Sequence, residues 1–470
     1  TVSPFIRRPP EPTEPGSGGR HFREKGSQTM YENEYRRKLC TPEDAAAWVS
    51  SGDTVFVPGG ALTPTAFAKA LYARKDRLER VRVLNYLPLA ALDFLMDPEC
   101  KGHFEVQSLF YSGPQRVADD HGFCDVVPVH LRNAARDWGE HVPEYDVMVI
   151  TVSPMDKHGY FTMAGSSLVE WQMMKGAKKL VLEVASRAPR TYGDTLIHIS
   201  QVDALYEVDR HPCVLPNPAP THEDELLGGH VAELVKDGDT IQLGFGGTIN
   251  ALAGQLKEKH DLGLHTEAFS DAAMELMECG AVNNSRKTLY PRQVLTSFTM
   301  GSERLYDYVD DNMAILHRSL AYTNDPRVIS QNRNMVSINA TLQMDLMGQC
   351  ASEAIGIRQY SGAGGQVDTA IGAQMAEGGR SIITVRSTYT VKDPVTGERK
   401  LRSRIVPRLD PSSVVTLTRN NVHFVASEYG VVCLRGLTLA ERAKALISIA
   451  HPDFRPWLEE EYDKIRRGAQ

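Results

Sequence analysis

The sequence predicts an α/β protein made of two related, open α/β domains. Three observations carry that prediction. Apolar runs of strand length end in glycine-rich loops and lead into small-residue helical stretches, the order of an α/β unit. Val49-Ser-Ser-Gly52-Asp53-Thr54-Val55 recurs as Val235-Lys-Asp-Gly238-Asp239-Thr240-Ile241, at one constant spacing, and each copy runs on into a glycine loop. Between the copies, residues 211–221 (HPCVLPNPAPT) are proline-dense and read as a linker. A chain of 470 residues suits more than one core. We place one domain over residues 31–215 and a second over 216–470, with a ligand cleft between them.

Residues 1–30 are rich in Pro, Gly, Ser and charge, cannot bury a core, and are expected to trail in solvent. Thr41-Pro42-Glu43-Asp44 is a helix start: a Thr cap, Pro in the first turn, then acids at the positive helix end. Ser51-Gly52-Asp53 turns the chain into a buried strand at 54–57. Pro58-Gly59-Gly60 then precedes a helix from 64 to 72. Further strands are expected at 81–86, 147–152 and 180–184. The second of these runs into Ser153-Pro-Met-Asp-Lys-His158-Gly-Tyr-Phe161, polar residues just past a strand end, where open α/β sheets place ligands. For His158 itself a simple turn is the better reading.

The second half carries more chemistry. After its strand comes Gly244-Phe245-Gly246-Gly247 and a small-residue helix. Leu264-His265-Thr266-Glu267 ends a strand, and Ser270-Asp271 cap the next helix. Glu267 therefore stands at a strand end on the side of the glycine loop. A carboxylate there can be an ion-pair partner, a general base or a nucleophile, and two converging glycine loops favour covalent or acid–base chemistry. The second loop lies within Ser352–Asp368, SEAIGIRQYSGAGGQVD, where Gly362, Gly364 and Gly365 let a ligand reach bare N–H groups. Such a loop can hold an anion or the developing oxyanion of a thioester carbonyl. Tyr322-Thr-Asn324-Asp-Pro326 is a turn whose Asn324 can orient a carboxylate. Residues 391–400 read as a hairpin tip bearing Lys392, Arg399 and Lys400, with Arg402 and Arg404 behind them. This is a solvated charged loop or a cationic grip on phosphate. Strands at 414–417 and 422–426 and a helix from 438 to 449 end the pattern.

A net charge of −7 argues against a general nucleic-acid binder. No apolar run approaches the roughly 20 residues that span a bilayer, and no apolar signal core opens the chain, so a cytoplasmic protein is expected. The seven cysteines form no CxxC pair and are read as reduced thiols. The histidines lack ligand spacing, so no metal is expected.

Taken together the motifs resemble the acetyl-CoA hydrolase/CoA-transferase family, class I CoA-transferases of the butyrate and 4-hydroxybutyrate type. The resemblance rests on Ser153–Phe161, Gly244–Gly247, His265-Thr-Glu267 with Ser270-Asp271, and Asn324-Asp-Pro326. It continues through Ser361-Gly-Ala-Gly-Gly-Gln-Val-Asp368, Ser403–Pro407, Glu428–Val431 with Leu434-Arg-Gly436, and Ile449–Pro452 with Phe454-Arg455. It implies two NagB/RpiA-like open α/β domains with the active site between them. It also implies a reaction that moves CoA from an acyl-CoA (acetyl-, butyryl- or succinyl-CoA) to a short-chain carboxylate through a glutamyl-CoA thioester. It assigns Glu267 as nucleophile and Asn324 as the amide that holds it. Gly246, Gly247, Gly364 and Gly365 become oxyanion donors. Gly244, Ser361, Gly362, Gln366, Lys392 and Arg404 become contacts to CoA and substrate. No permanently bound cofactor or metal is implied, no nucleic acid and no membrane, and a homodimer or homotetramer is expected.

The chain departs from the family where Ala268 follows the catalytic glutamate, Ala272 follows Ser-Asp, and Thr369 follows the Gly-Gly-Gln-x-Asp run; Met, Gly and an aromatic are common there. These smaller or more polar residues predict a roomier, wetter pocket and a polar or dicarboxylic acid such as 4-hydroxybutyrate, succinate or itaconate as well as, or instead of, butyrate. An acyl-CoA hydrolase, in which water resolves the thioester, is the nearest rival. A catalytically silent CoA-binding protein is a second, and a sugar-phosphate isomerase on a related fold a third. Retention of Glu267 with both glycine loops disfavours the last two.

Overall fold

The structure of the protein, a computed structural model, describes residues 30–392 and 396–468. The tail reading of residues 1–30 falls outside these except at Met30, and so does the hairpin tip at 393–395. The first half folds around a seven-stranded sheet: β1 Thr54–Phe56, β2 Val81–Asn85, β3 Phe104–Ser108, β4 Cys124–Val126, β5 Tyr145–Val152, β6 Ala177–Ala185 and β7 Ala204–Val208. Their order is β7-β6-β5-β1-β2-β3-β4, parallel throughout. The second half folds around six strands: β8 Thr240–Gln242, β9 Gly263–Leu264, β10 Met335–Ala340, β11 Arg380–Thr384, β12 Phe424–Ser427 and β13 Gly430–Cys433. Their order is β9-β8-β10-β11-β12-β13, parallel except for the last strand.

The two sheets share one plan. In each, the first strand in sequence (β1 or β8) lies between the strand that follows it and a later strand, from which two more extend outward in the first sheet and three in the second. The repeat in the sequence marks the entry to both. Gly52 and Gly238 take φ of +82° and +79°, a region open to glycine at no steric cost. Asp53 and Asp239 then each accept a hydrogen bond from the backbone N–H three residues earlier, at 2.8 and 2.7 Å. The same short motif makes the same turn into the same strand twice.

Each parallel sheet is covered on both faces, so its strands are apolar on both. In the first sheet Phe56, Leu84, Met148 and Ile150 point into one layer, while Val55, Val83, Val147 and Val149 point into the other. The layer holding Phe56 does not end with the first half. It continues through Ala268, Phe298, Met300 and Leu320 of the second. Strand exchange reinforces this joint: Tyr192–Gly193 pairs in parallel with Ile315–His317, which in turn pairs with Val294–Thr296.

Most elements fall where the sequence puts them, with two differences. Residues 414–417 form no strand, only a single bridge from Leu417 to Cys350, because only Thr416 and Leu417 pair with the backbone of Cys350. The expected hairpin does form, but as the isolated pair Thr388–Lys392 and Arg399–Ser403, standing off the main sheet.

Gly193 tests the joint. Its φ is +115°, and a Cβ there would overlap the carbonyl group of His317. Gly193→Ala is expected to destabilise the protein by at least about 2 kcal/mol, read as a lower thermal midpoint. An unchanged midpoint would mean that the exchanged strand contributes nothing.

Candidate active site

Between the halves lies a cavity of about 740 Å³. The first half lines it with Tyr86, Leu87, Leu109–Gly113, Arg116, Leu131, Leu168 and Val169. The second half lines it with Gln242–Phe245, Glu267, Ala268, Phe298, Asn339–Leu342 and Tyr360–Gln366. This is the cleft between the two sheets that the repeat predicts.

Glu267 stands in this cavity between two short strands, and its backbone leaves it little freedom. Its carbonyl oxygen accepts hydrogen bonds from the Ser297 and Phe298 N–H groups at 3.0 and 3.1 Å and from the Thr296 hydroxyl at 3.1 Å. Asn324 Nδ2 donates to Glu267 Oε2 at 2.5 Å; Oε1 has no hydrogen-bond partner among the described residues. Asn324 is buried, at the C-terminal end of the short helix Leu320–Thr323, and its own Oδ1 has no partner among the described residues. His265 fixes that turn. Its Nε2–H donates to the Thr323 carbonyl at 2.8 Å while Nδ1 accepts from Asn332 Nδ2 at 2.8 Å. A carbonyl cannot donate, so the tautomer is set. Burial depresses the His265 pKa to about 3, so the ring is a neutral strut rather than a proton carrier.

Opposite Glu267 the glycine loop begins the helix Gln366–Met375. A Cβ on Gly365 would overlap Glu267 Oε2 and stand 2.7 Å from Asn324 Nδ2. Only glycine lets the helix start approach the carboxylate, and the first N–H groups of a helix carry its positive end. Gly364 takes φ of +60°, and Gly362 lies flush against the Leu109 carbonyl of the first half. The loop is clamped there: Arg116 donates to the Tyr360 carbonyl at 2.7 Å and stacks on the Tyr360 ring, and Arg358 pairs with Asp120. One turn into the helix, fully buried Asp368 pairs with Arg132 of the first half through both backbone N–H and guanidinium.

Of the residues expected at the site, Glu267, Gly244, Ser361, Gly362, Gly364, Gly365 and Gln366 line the cavity together, with Asn324 in contact through Glu267. Gly246 and Gly247 do not. Gly247 opens the helix Gly247–Leu256 but abuts the carboxylate of Asp224, and Gly246 borders a small separate hollow with Asn217 and Asn250. The oxyanion role expected of this pair is therefore corrected: that helix start already faces an anion of the protein. Arg404 stands behind the wall, donating to the Leu342 carbonyl at 2.8 Å and stacked on Tyr389. Lys392 is on the exposed hairpin and does not line the cavity. The Ser153–Phe161 motif is also elsewhere, with Ser153–Asp156 beside Arg187, Arg190 and His211 in a different cleft. Arg132 and Asp368 had no role in the sequence reading, because nothing local signals a pair 236 residues apart.

Burial raises the Glu267 pKa to about 7; the Asn324 hydrogen bond works against this and the nearby Asp368 charge adds to it. The folded pKa lies above the ordinary value of 4.5. The fold thus favours the protonated carboxyl. Its contribution to stability is complete below pH 4.5 and is lost as pH rises through about 7. Glu267→Gln, which keeps an acceptor for Asn324 without the charge, is expected to be the more stable protein at pH 8, by up to about 3 kcal/mol. The gap should shrink toward pH 5. Thermal midpoints of both proteins across that range check this, and a pH-independent difference would contradict it.

Residues 24–215 match the acetyl-CoA hydrolase/transferase N-terminal domain, and residues 301–462 match the corresponding C-terminal domain. The chain is 42% identical to succinyl-CoA:cyclohexane-1-carboxylate CoA transferase of Geobacter metallireducens, over 94% of this chain and 99% of that one. It is 38% identical to 4-hydroxybutyrate coenzyme A transferase of Clostridium kluyveri, over 92% and 99%. The crystal structure of RipA from Yersinia pestis superposes with a TM-score of 0.84 at 35% identity, covering 93% of this chain and 99% of that one. No helix among the described residues is long and apolar enough to cross a membrane. On the matches over both halves, and on a fold shared along nearly its whole length, the chain belongs to the acetyl-CoA hydrolase/transferase family.

Proposed function

We propose that this protein is a CoA-transferase that moves CoA from an acyl-CoA to a carboxylic acid through a glutamyl-CoA thioester on Glu267. One observation carries the reading: a half-buried carboxylate with one oxygen held by Asn324 and the other bare, facing a cavity between the halves. Relatives named as CoA-transferases support the reaction class, with acids as different as 4-hydroxybutyrate and cyclohexane-1-carboxylate in their names.

In this reading Oε1 attacks the thioester carbonyl carbon. The C–S bond breaks, CoA leaves as thiolate, and a mixed acyl-glutamyl anhydride remains. The thiolate then attacks Cδ of the Glu267 side chain, the anhydride C–O bond to Cδ breaks, and the first acid leaves as carboxylate. A second carboxylate attacks the glutamyl thioester and the steps run in reverse. Splitting one transfer into these steps keeps each barrier low and conserves the thioester. No proton is gained or lost overall, which suits a site whose histidine is a neutral strut. The Gly364–Gly365 helix start supplies the preorganised donors for each oxyanion, with the Gly244 loop across the cavity. The polar wall at 339–342 and 360–366 suits the amides of pantetheine, and Arg404 with its exposed basic hairpin stands on that side for the phosphates. The close apolar walls keep water from the anhydride, which favours transfer over hydrolysis.

Intact mass of the protein mixed with an acyl-CoA, with and without borohydride, tests the covalent step. A CoA adduct or a reduced side chain is expected, and is expected to be missing from Glu267→Ala. Thioester consumed without an adduct would favour direct hydrolysis. Gly365→Ala should lower kcat by two orders of magnitude or more, since the methyl must displace either Glu267 or the helix start. A variant that folds and keeps a tenth of wild-type activity would show that this approach is not needed.

A further inference from the structure

We propose that the acyl end of the cavity takes a bulky, apolar monocarboxylic acid, branched or built on a saturated ring, rather than a dicarboxylic or hydroxy acid. The inference rests on the CoA-transferase reading and names its substrate class. The cavity lining divides by chemistry. One wall is the glycine loop and the strand end at 339–342. The other is Leu131, Leu168, Val169, Ala268, Phe298 and Leu320, all buried and part of the continuous core that joins the halves, and it reaches Glu267 through Ala268, its neighbour in the chain, and Phe298, whose N–H binds the Glu267 backbone carbonyl.

The residues that suggest a wetter pocket do not wet it. Thr369 donates its hydroxyl to the Gly365 carbonyl at 2.9 Å and accepts from Asn339 Nδ2 at 3.0 Å, so its polar atom is spent inside the protein. Ala272 is buried in the helix Asp271–Glu278 and does not line the cavity. Ala268 does line it, and presents only a methyl group where a longer side chain would fill the space next to the carboxylate. The wall on this side is apolar rather than polar. Tyr86, packed in the same cluster, gives its hydroxyl to buried Glu170. The cation that lines the cavity among the described residues is Arg116, and it is engaged on Tyr360 at the glycine-loop side. A second carboxylate on the acyl group would thus be buried with no partner, which proteins avoid, whereas each buried methylene gains about fourfold in affinity.

The test is a panel of acceptor acids with one acyl-CoA donor: cyclohexane-1-carboxylate, 2-methylbutyrate, acetate, 4-hydroxybutyrate and succinate. Binding of each free acid is read in parallel from the shift in thermal midpoint. The ring acid is expected to exceed succinate and 4-hydroxybutyrate more than tenfold in kcat/KM. Ala268→Met is expected to lower the ratio of ring acid to acetate at least tenfold. A ring-acid preference below tenfold, or a ratio unmoved by the substitution, overturns the inference. The thermal shifts separate this from the underlying reading. Ring-acid binding stronger than succinate binding, without transfer to any acid, would overturn the transferase reading and leave the pocket assignment standing. Equal or stronger succinate binding would overturn the pocket assignment whatever the turnover.

Discussion

A half-buried carboxylate with no cation beside it among the described residues governs this structure. Glu267 has one hydrogen-bond donor where a stable buried carboxylate would have several or a cation. Its backbone and its partner are held instead. Three donors fix the Glu267 carbonyl, and His265 and Asn332 fix the turn that carries Asn324. The joint between the halves supplies the burial. The first-half core runs into the second, and Arg132–Asp368, Arg116–Tyr360 and Arg358–Asp120 pin the glycine loop against it. The cost of the site is spread over contacts that lie outside it.

Among the described residues a second helix start faces a carboxylate, and the two carboxyl groups are shifted in opposite directions. Gly247 meets Asp224, as Gly365 meets Glu267. Burial works to raise the Asp224 pKa, but Arg386, Thr248 and Thr221 outweigh it and hold the carboxyl below its ordinary range. That group is an anchored anion. Glu267 receives a single amide and no cation, so burial wins and its pKa rises. A related geometry yields a structural ion in one place and a chemically available one in the other, and the difference is the count of partners.

The walls of the cavity follow from the same joint. Side chains that seal the two halves together are apolar because they belong to a core, and those next to Glu267 are the same side chains. Sealing the joint and lining the cavity are thus one property of one surface rather than two separate designs.

Much of this was legible in the sequence. The repeated Gly-Asp-Thr turn, the glycine loops after strands and the proline-dense run at 211–221 announce two related α/β halves, because turns and strands are set by local backbone preference and short-range periodicity. Glu267, Asn324 and Gly362–Gly365 came together as a group mainly through the resemblance to the acetyl-CoA hydrolase/CoA-transferase family, since a lone Glu, an Asn in a turn and a glycine loop each have ordinary structural roles. What the sequence alone left undecided depends on which surfaces meet. Gly246 and Gly247 look like Gly364 and Gly365 in one dimension, and only the fold shows that Asp224 abuts Gly247 and that neither glycine lines the cavity. Lys392 looks like a phosphate ligand until the hairpin carries it away from the cavity lining. Thr369 looks like a polar wall until its hydroxyl is seen turned onto Gly365 and Asn339. Arg132 and Asp368 are ordinary residues until the chain closes on itself. Local sequence determined which residues have chemistry to offer; long-range packing decided which of those groups stay free to use it, because a polar atom's partners come from wherever the fold brings them.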